Sequence, residues 1–457
     1  MKKDEAKRPK VLLKTFGCAM NFYDSEAAEG ILEKSGYQVI RTGAEDSKTE
    51  SKGAVDHIGK IVGKADVILM NTCSVREHAE DRIYGRLGML GKAKRSQPDL
   101  IVGLMGCMVE EHREALFERF PQLDFMVGTR NLKDLPKLIE EVRARRVQVA
   151  RIRQEGISIE YSDRIVRRGG FHAWLPIMTG CNKVCTFCIV PKTRGPEVSI
   201  PVREVCREAE RLAAEGIRWV TLLGQNVNSY PGFPQLLEML CGVGGLARVS
   251  FTTSHPQDAT RELFEAIARN PKVSRRFHLP LQSGSDRVLK RMKRLHTFAE
   301  FREKVDWLRR LVPGISMTTD IIAGFPGERE EDHEATARAL EEIRFDGAYI
   351  YKYSVRPGTP ASKFTDDVPL PLKERRNAGL LDIQRRISRE ISKPFVGQAL
   401  EVFVEGFSTK GSARLVGRSH AEKRVLFPGE AALIGSFQRV KIEQLVHDTF
   451  VGSLEER

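Results

Sequence analysis

Short apolar runs alternate with amphipathic stretches over the first 150 residues. Val11-Leu-Leu-Lys-Thr-Phe16 reads as a strand, and a helix is expected from Asp24 to Lys34, with Asp24 or Ser25 as N-cap and Gly36 as its stop. Ala65-Asp-Val-Ile-Leu-Met70 reads as a buried strand, followed by a polar helix from Val75 to Leu90. Leu100 to Met105 is a third strand and Glu110 to Phe120 a third helix; Phe125-Met-Val127 and a helix from Leu132 to Arg145 complete the pattern. Such alternation predicts a parallel sheet with helices on both faces. Residues 44–56, AEDSKTESKGAVD, interrupt the rhythm and read as a mobile surface loop.

The alternation resumes further along. Expected strands are Ala173–Met178, Trp219–Leu223, Ala247–Phe251, Phe277–Leu281, Ser316–Ile322 and Ala348–Tyr353, with helical patterns such as Val202–Glu215 and Arg261–Ala268 between them. Six strand–helix units can curl into an incomplete (β/α)6 barrel, whose ligands gather at the carboxyl ends of the strands. The last 63 residues change character. Leu400–Val404, Ala413–Val416, Arg424–Phe427 and Gln438–Ile442 are short strands punctuated by Gly, Ser and Pro, which predicts a small antiparallel barrel of about five strands. The α/β organisation therefore has three parts: 10–150, 167–394 and 395–457.

Composition narrows the class. Of 457 residues, 41% are hydrophobic and 30% charged, which excludes a wholly disordered chain. No apolar run reaches the roughly 18 residues of a membrane span. The charged stretch Met1–Lys10 carries no secretory signature, so the expected location is the cytoplasm. The net charge of +13 is uneven: +3 over residues 1–150, +10 over 151–394 and zero over 395–457. A basic middle segment attracts polyanions such as RNA, although a solvated surface would carry the same charge.

A reducing compartment leaves the eight cysteines free of disulfides. Cys181-Asn-Lys-Val-Cys185-Thr-Phe-Cys188 directly follows the first strand of the middle segment. Three thiolates at these spacings can fold around one inorganic cluster and leave one iron open to a chelating cofactor. Structural zinc wants four ligands and usually a second Cys-x-x-Cys pair, which is absent. Cys18, Cys73 and Cys107 each follow an expected strand, so the carboxyl edge of one sheet would gather them. They are either a second three-cysteine site or three core cysteines. Cys206 and Cys241 have no partner pattern and read as structural.

With these motifs in order, the chain closely resembles the radical S-adenosylmethionine methylthiotransferases, and within them the tRNA enzymes. The matching residues are Phe16-Gly-Cys-Ala-Met-Asn21 with Asp24-Ser-Glu26, Asn71-Thr-Cys-Ser-Val-Arg76, Gly106-Cys-Met108, the Cys181–Cys188 loop with Pro191-Lys-Thr-Arg-Gly195, and Gly224-Gln-Asn-Val-Asn-Ser-Tyr230. Thr253-Ser-His-Pro256, His278-Leu-Pro-Leu-Gln-Ser-Gly284, Asp320-Ile-Ile-Ala-Gly-Phe-Pro-Gly327 and Tyr353-Ser-Val-Arg-Pro-Gly-Thr-Pro360 continue the match. The departures are Ala19 in place of the usual Gln, Val198 and Ile200 in place of basic residues, and Ser419-His420 after Gly417-Arg418.

The resemblance implies an N-terminal methylthiotransferase domain, a radical-SAM core and a C-terminal TRAM barrel with an RNA-facing loop at Gly417-Arg418. It implies two [4Fe-4S] clusters: Cys181, Cys185 and Cys188 for the one that holds S-adenosylmethionine (SAM), and Cys18, Cys73 and Cys107 for an auxiliary one that delivers sulfur. The implied reaction takes hydrogen from C2 of N6-dimethylallyladenosine at position 37 of tRNA and leaves a 2-methylthio group, with no general acid or base required. Gly224, Gln225, Asn226, Gln282, Ser283, Asp320 and Arg291 are candidate SAM contacts, each open to a turn, capping or surface role instead. Lys192, Arg194 and Arg418 are candidate RNA contacts, while Tyr230 and Phe325 are either base-stacking or core residues. The implied partners are tRNA and an electron donor such as flavodoxin or ferredoxin, for a monomer with no membrane attachment. The rival readings are threonylcarbamoyl-adenosine tRNA or a ribosomal-protein aspartate as substrate, and a non-catalytic iron–sulfur RNA-binding protein.

Overall fold

A computed structural model describes residues 8–41, 63, 65–74, 77–152, 165, 170–408 and 414–455; the loop at 44–56 lies outside them. The chain divides into two compact units. The first is Met1–Arg168 with Thr179–Cys181 and Ile189–Val198; the second is Gly169–Met178, Asn182–Cys188 and Ser199–Arg457.

The first unit is built on six strands, β1 (Lys10–Thr15), β2 (Gln38–Arg41), β3 (Val67–Thr72), β4 (Ile101–Gly106), β5 (Phe125–Val127) and β6 (Val149–Arg151). They pair in the order β2-β1-β3-β4-β5-β6, all parallel. β3 and β4 are buried along their whole length, as central strands of a doubly covered sheet must be. Alternate residues serve two cores. Val11, Leu13, Val67 and Leu69 pack with Leu135, Leu138 and Val142 of one helix, whereas Leu12, Ile68 and Met70 pack with Ile83, Leu87 and Leu90 of another.

Two expected helices have different bounds. The first runs from Ala19 to Lys34 and is capped by Cys18, so Asp24 and Ser25 lie inside it and are buried. The expected helix from Glu110 to Phe120 is two pieces, Cys107–His112 and Ala115–Arg119, parted where Arg113 adopts φ 47°.

The second unit holds six parallel strands in two groups of three. Arg248–Phe251, Trp219–Leu223 and His172–Pro176 form one, and Arg276–His278, Ser316–Ala323 and Gly347–Lys352 the other. A parallel bridge from Val249 to Val273 links them. Arg276–His278 is shorter than expected: the Leu279 N–H still bonds to the Thr318 carbonyl, but the Leu281 N–H goes to Thr319 Oγ1 and the ladder ends. The helices cover one face of these strands, where Thr319, Ile321 and Ala323 are buried, and leave Thr318, Asp320 and Ile322 on the other.

Five strands between Ala399 and Leu454 form a closed barrel, the last, Thr449–Leu454, being one the sequence pattern did not single out. The barrel packs on the amino-terminal ends of the central strands. Its Phe403 meets Trp219 edge to face, and Arg248 lies over the rings of Trp219, Phe403 and Phe437. The fold class expected from the sequence is the one observed. No described helix is long and apolar enough to cross a membrane.

Candidate functional site

β1, β3 and β4 are neighbours, and each hands its chain to a cysteine. Cys18 caps the first helix, Cys73 directly follows β3, and Cys107 opens the helix after β4. The strand order reverses at β1 and β3, the place where open parallel sheets bind ligands. Two glycines make the approach possible. A Cβ on Gly17 would sit 2.3 Å from Asn21 Oδ1 and 2.8 Å from the Cys73 Cβ. Gly106 has φ 102°, and a Cβ there would lie 2.4 Å from the Thr72 carbonyl oxygen.

Asparagines lock the strand ends together. Asn21 Nδ2 donates to Asn71 Oδ1 and to the Thr72 carbonyl, both at 3.0 Å. Asn71 Nδ2 donates to the Asn21 carbonyl at 2.6 Å and to Ser25 Oγ at 2.9 Å. The Cys18 N–H donates to Asn21 Oδ1 at 3.2 Å. The sequence showed these asparagines only as parts of motifs; a buried amide network has no periodic signature.

Arg194 is the largest correction. It was expected on the surface in contact with RNA, but its side chain is 6% exposed and pairs with Asp24 Oδ2 at 2.7 Å. Its Nε donates to Cys107 Sγ at 3.3 Å. Burial disfavours the guanidinium charge, but Asp24 and Cys107 more than offset that, so Arg194 stays protonated. A hydrogen bond from Cys73, aided by Arg194 and the N–H groups of Asn21 and Met20, holds the Cys18 thiol at about 6 against the opposing effect of burial. Cys107, burdened by desolvation, is pushed up. Cys18 is exposed while Cys73 and Cys107 are buried, so the set opens on one side. Three sulfur donors from three strands, one with a depressed pKa and a fixed cation beside them, fit an iron–sulfur cluster.

Breaking the buried pair has a stated cost. Asp24→Ala leaves Arg194 uncompensated and is expected to destabilise the protein by about 3 kcal/mol. Asp24→Ala/Arg194→Met is expected to recover part of that loss. Urea midpoints of the two variants check it, and a double variant no more stable than the single one contradicts it.

In the other cysteine loop, Cys181 falls in the first unit and Cys185 and Cys188 in the second. The Cys181 N–H donates to the Gly195 carbonyl at 3.1 Å. Within the second unit, the Thr186 N–H donates to the Met292 carbonyl at 3.0 Å and Thr186 Oγ1 to the Arg291 carbonyl at 3.1 Å. Lys183 Nζ binds Gln257 Oε1 and Asp258 Oδ1. Cys185 is buried, with Arg294 Nη1 donating to its sulfur at 3.4 Å. His255 Nδ1 accepts from the Gln257 N–H at 3.2 Å, so Nε2 carries the proton and points at Cys185 Sγ at 3.9 Å. Burial, assisted by Arg294, lowers the His255 pKa to about 2 and keeps the ring neutral. In the charge run Lys290–Arg294 it is Arg294, not the candidate Arg291, that reaches the cysteine. Lys293 at φ 55° and Leu295 at φ 57° turn the chain there and carry Arg294 inward.

The candidate SAM residues separate into two groups. Gly224 is buried at the end of the strand Trp219–Leu223, where a Cβ would lie 2.5 Å from Met178 Cγ. Gln225 is partly exposed beside it. Asn226 is buried, donates through Nδ2 to Asp258 Oδ2 at 2.7 Å, and leaves Oδ1 with no hydrogen-bond partner among the described residues. Asp320 faces the helix-free side and meets His278 Nε2 at 3.3 Å. Gln282 sits in the left-handed region, φ 76°, pinned by its N–H to the Asp320 carbonyl and its carbonyl to the Ile322 N–H.

Ser283 is a correction: it is fully buried, meets Thr336 Oγ1 at 3.2 Å and accepts from the Ser285 N–H. Arg291 is turned to another use, donating through Nε to the Pro326 carbonyl at 2.8 Å with its guanidinium over Phe364. Tyr230 and Phe325 are core residues. Lys192 is exposed. Arg418 lies in a strand, not a loop, and pairs with Glu405. The turn after it, expected to face RNA, faces the central strands instead, with Glu422 buried against Ser250, Ser274 and Arg276.

A model of the radical SAM superfamily matches residues 175–340, and one for the uncharacterized protein family UPF0004 matches residues 52–128. The radical S-adenosylmethionine methyltransferase TsrM from Kitasatospora setae, solved with cobalamin and a [4Fe-4S] cluster bound, superposes with TM-score 0.56 at 15% identity, over 86% of this chain and 77% of that one. Fold and family model together define a radical SAM protein. The tRNA-2-methylthio-N(6)-dimethylallyladenosine synthase of Carboxydothermus hydrogenoformans is 42% identical over 94% of this chain and 96% of that one. The synthase of the same name from Dictyoglomus thermophilum is 41% identical over 95% and 96%. The chain belongs to the family of these synthases.

Proposed function

We propose that this protein converts N6-dimethylallyladenosine at position 37 of tRNA to its 2-methylthio form. The observation that carries the reading is the gathering of Cys18, Cys73 and Cys107 at the sheet's switch point, in a chain that carries a second cysteine triplet and matches the named synthases nearly end to end.

In this reading Cys181, Cys185 and Cys188 hold a [4Fe-4S] cluster that binds SAM, and Cys18, Cys73 and Cys107 hold a second. The bound groups supply radical cleavage of SAM and the sulfur and methyl group that are transferred. The chain's own residues bind and orient. Gly224, Gln225, Asn226, Gln282 and Asp320 line the carboxyl ends of strands where SAM is held, and Asn226 Oδ1 is a buried acceptor suited to one of its donors. Arg294 and His255 direct N–H groups at the Cys185 sulfur, an arrangement that tunes cluster potential. Asn21, Asn71 and Arg194 fix the other three cysteines. Lys192, exposed just after the cluster loop, contacts the RNA. The three functional parts are 10–150, 167–394 and 395–457, in a cytoplasmic monomer served by a flavodoxin- or ferredoxin-type donor.

Anaerobically reconstituted protein is expected to hold about eight irons per chain. Incubated with SAM, a reductant and tRNA carrying dimethylallyladenosine, it is expected to yield the 2-methylthio nucleoside by mass spectrometry. One zinc and no iron overturns the cofactor assignment. Release of 5′-deoxyadenosine without that nucleoside moves the substrate to threonylcarbamoyl-adenosine tRNA or a ribosomal-protein aspartate.

A further inference from the structure

We propose that Tyr349 and Tyr351 form the wall that receives the substituted adenine, and that Glu422 of the C-terminal barrel holds Tyr349 in place through Arg276. The inference rests on the substrate reading above and names the residues that would recognise it.

Both tyrosines lie on the helix-free face of the strand Gly347–Lys352. Tyr349 is 47% exposed and Tyr351 39%, whereas Ile350 between them is 8% exposed against the helix side. In register, Tyr349 stands opposite Asp320 and Tyr351 opposite Ile322. The face is thus polar on one side, with Asp320, His278 and Thr318 joined by hydrogen bonds, and aromatic and aliphatic on the other. A dimethylallyl-substituted adenine presents the matching chemistry: a flat ring that stacks on aromatic side chains, and a branched apolar group at N6.

Tyr349 is held from below. Its ring meets His278 edge to face at 6.0 Å, and its hydroxyl interacts with the Arg276 guanidinium. Arg276 Nη1 in turn pairs with Glu422 Oε2 at 3.1 Å. Glu422 Oε1 accepts from Ser250 Oγ and Ser274 Oγ, both at 2.8 Å. A carboxylate from the barrel therefore fixes a side chain on the face that carries Asp320. Tyr351 is a contact residue and Glu422 a positioning residue.

The test measures binding of two labelled anticodon stem-loops, with and without the dimethylallyl group, to the cluster-loaded protein by fluorescence anisotropy. Wild type is expected to prefer the substituted RNA. Tyr351→Ala and Tyr349→Ala are expected to weaken its binding about tenfold and erase the preference, with SAM binding by equilibrium dialysis unchanged. Tyr351→Phe, which keeps the ring and folds conservatively, is expected to retain the preference. Tyr349→Phe and Glu422→Gln are expected to lose part of it, and the double variant no more than either alone, because both break one chain of contacts. Alanine variants that keep the preference overturn the wall. Loss of SAM binding with the preference intact gives the face to SAM instead. Additive losses from Tyr349→Phe and Glu422→Gln overturn the positioning role. A wild type that binds both RNAs equally overturns the substrate reading, and this inference with it.

Discussion

Cys18→Ala is expected to retain SAM cleavage while methylthio transfer falls to the level of a control without enzyme. The variant removes one of three sulfur donors at the switch point and leaves all three cysteines of the Cys181–Cys188 loop in the chain. Its folding cost is small. Cys18 is exposed, its thiol donates to Asn21 Oδ1 at 3.3 Å and is joined by Cys73, and losing a cap costs about 1 kcal/mol. The main-chain bond from residue 18 to Asn21 Oδ1 needs no side chain and survives. Iron should fall from about eight to about four per chain, with 5′-deoxyadenosine still produced. A folded variant that loses both activities contradicts separate roles for the two triplets.

Cys185→Ala is expected to remove both 5′-deoxyadenosine release and methylthio transfer, each to background. Cys185 is the buried member of its loop in the second unit, and its sulfur accepts from Arg294 while facing the His255 N–H. Truncation strands those donors at a cost of about 1–3 kcal/mol. Cys188→Ala, at a less buried position, separates that folding cost from the chemical one and is expected to give the same loss. Residual iron should again be near four, now held by the N-terminal triplet. Persistent 5′-deoxyadenosine from either folded variant rules out this loop as the SAM-cleaving site.

Most strands of both units are legible because periodicity reports which side of an element is covered; Gln38–Arg41, Val149–Arg151 and Thr449–Leu454 are not among those it singles out. Five of the expected central strands match the observed ones within about two residues, a normal scatter for element ends. What escaped has identifiable causes. Cysteine is outside the usual set of N-cap residues, so the sequence pointed to Asp24 and Ser25 instead of Cys18. Arginine is almost never buried unless paired, so Arg194 and Arg294 read as surface charge until their partners, 170 and 109 positions away, were in place. The Ser419–Lys423 turn looked like an exposed hairpin end, and only tertiary packing shows that it is covered. Local pattern carries the scaffold and the six cysteines; the residues that orient those cysteines are fixed by contacts distant in sequence.

The insertion of Glu422 among Ser250, Ser274 and Arg276 also bears on how the protein can be cut and recombined. The C-terminal barrel looks like an exchangeable module in sequence, yet its turn is an integral part of the neighbouring core. Deleting it would bare Trp219, remove the two phenylalanines flanking Arg248, and leave Arg276 without its carboxylate. A barrel grafted from another protein would succeed only if it brought a carboxylate to the same depth. The barrel and the strand ends it covers therefore depend on each other, so the compositional boundary near residue 395 marks neither a natural truncation point nor a safe fusion joint.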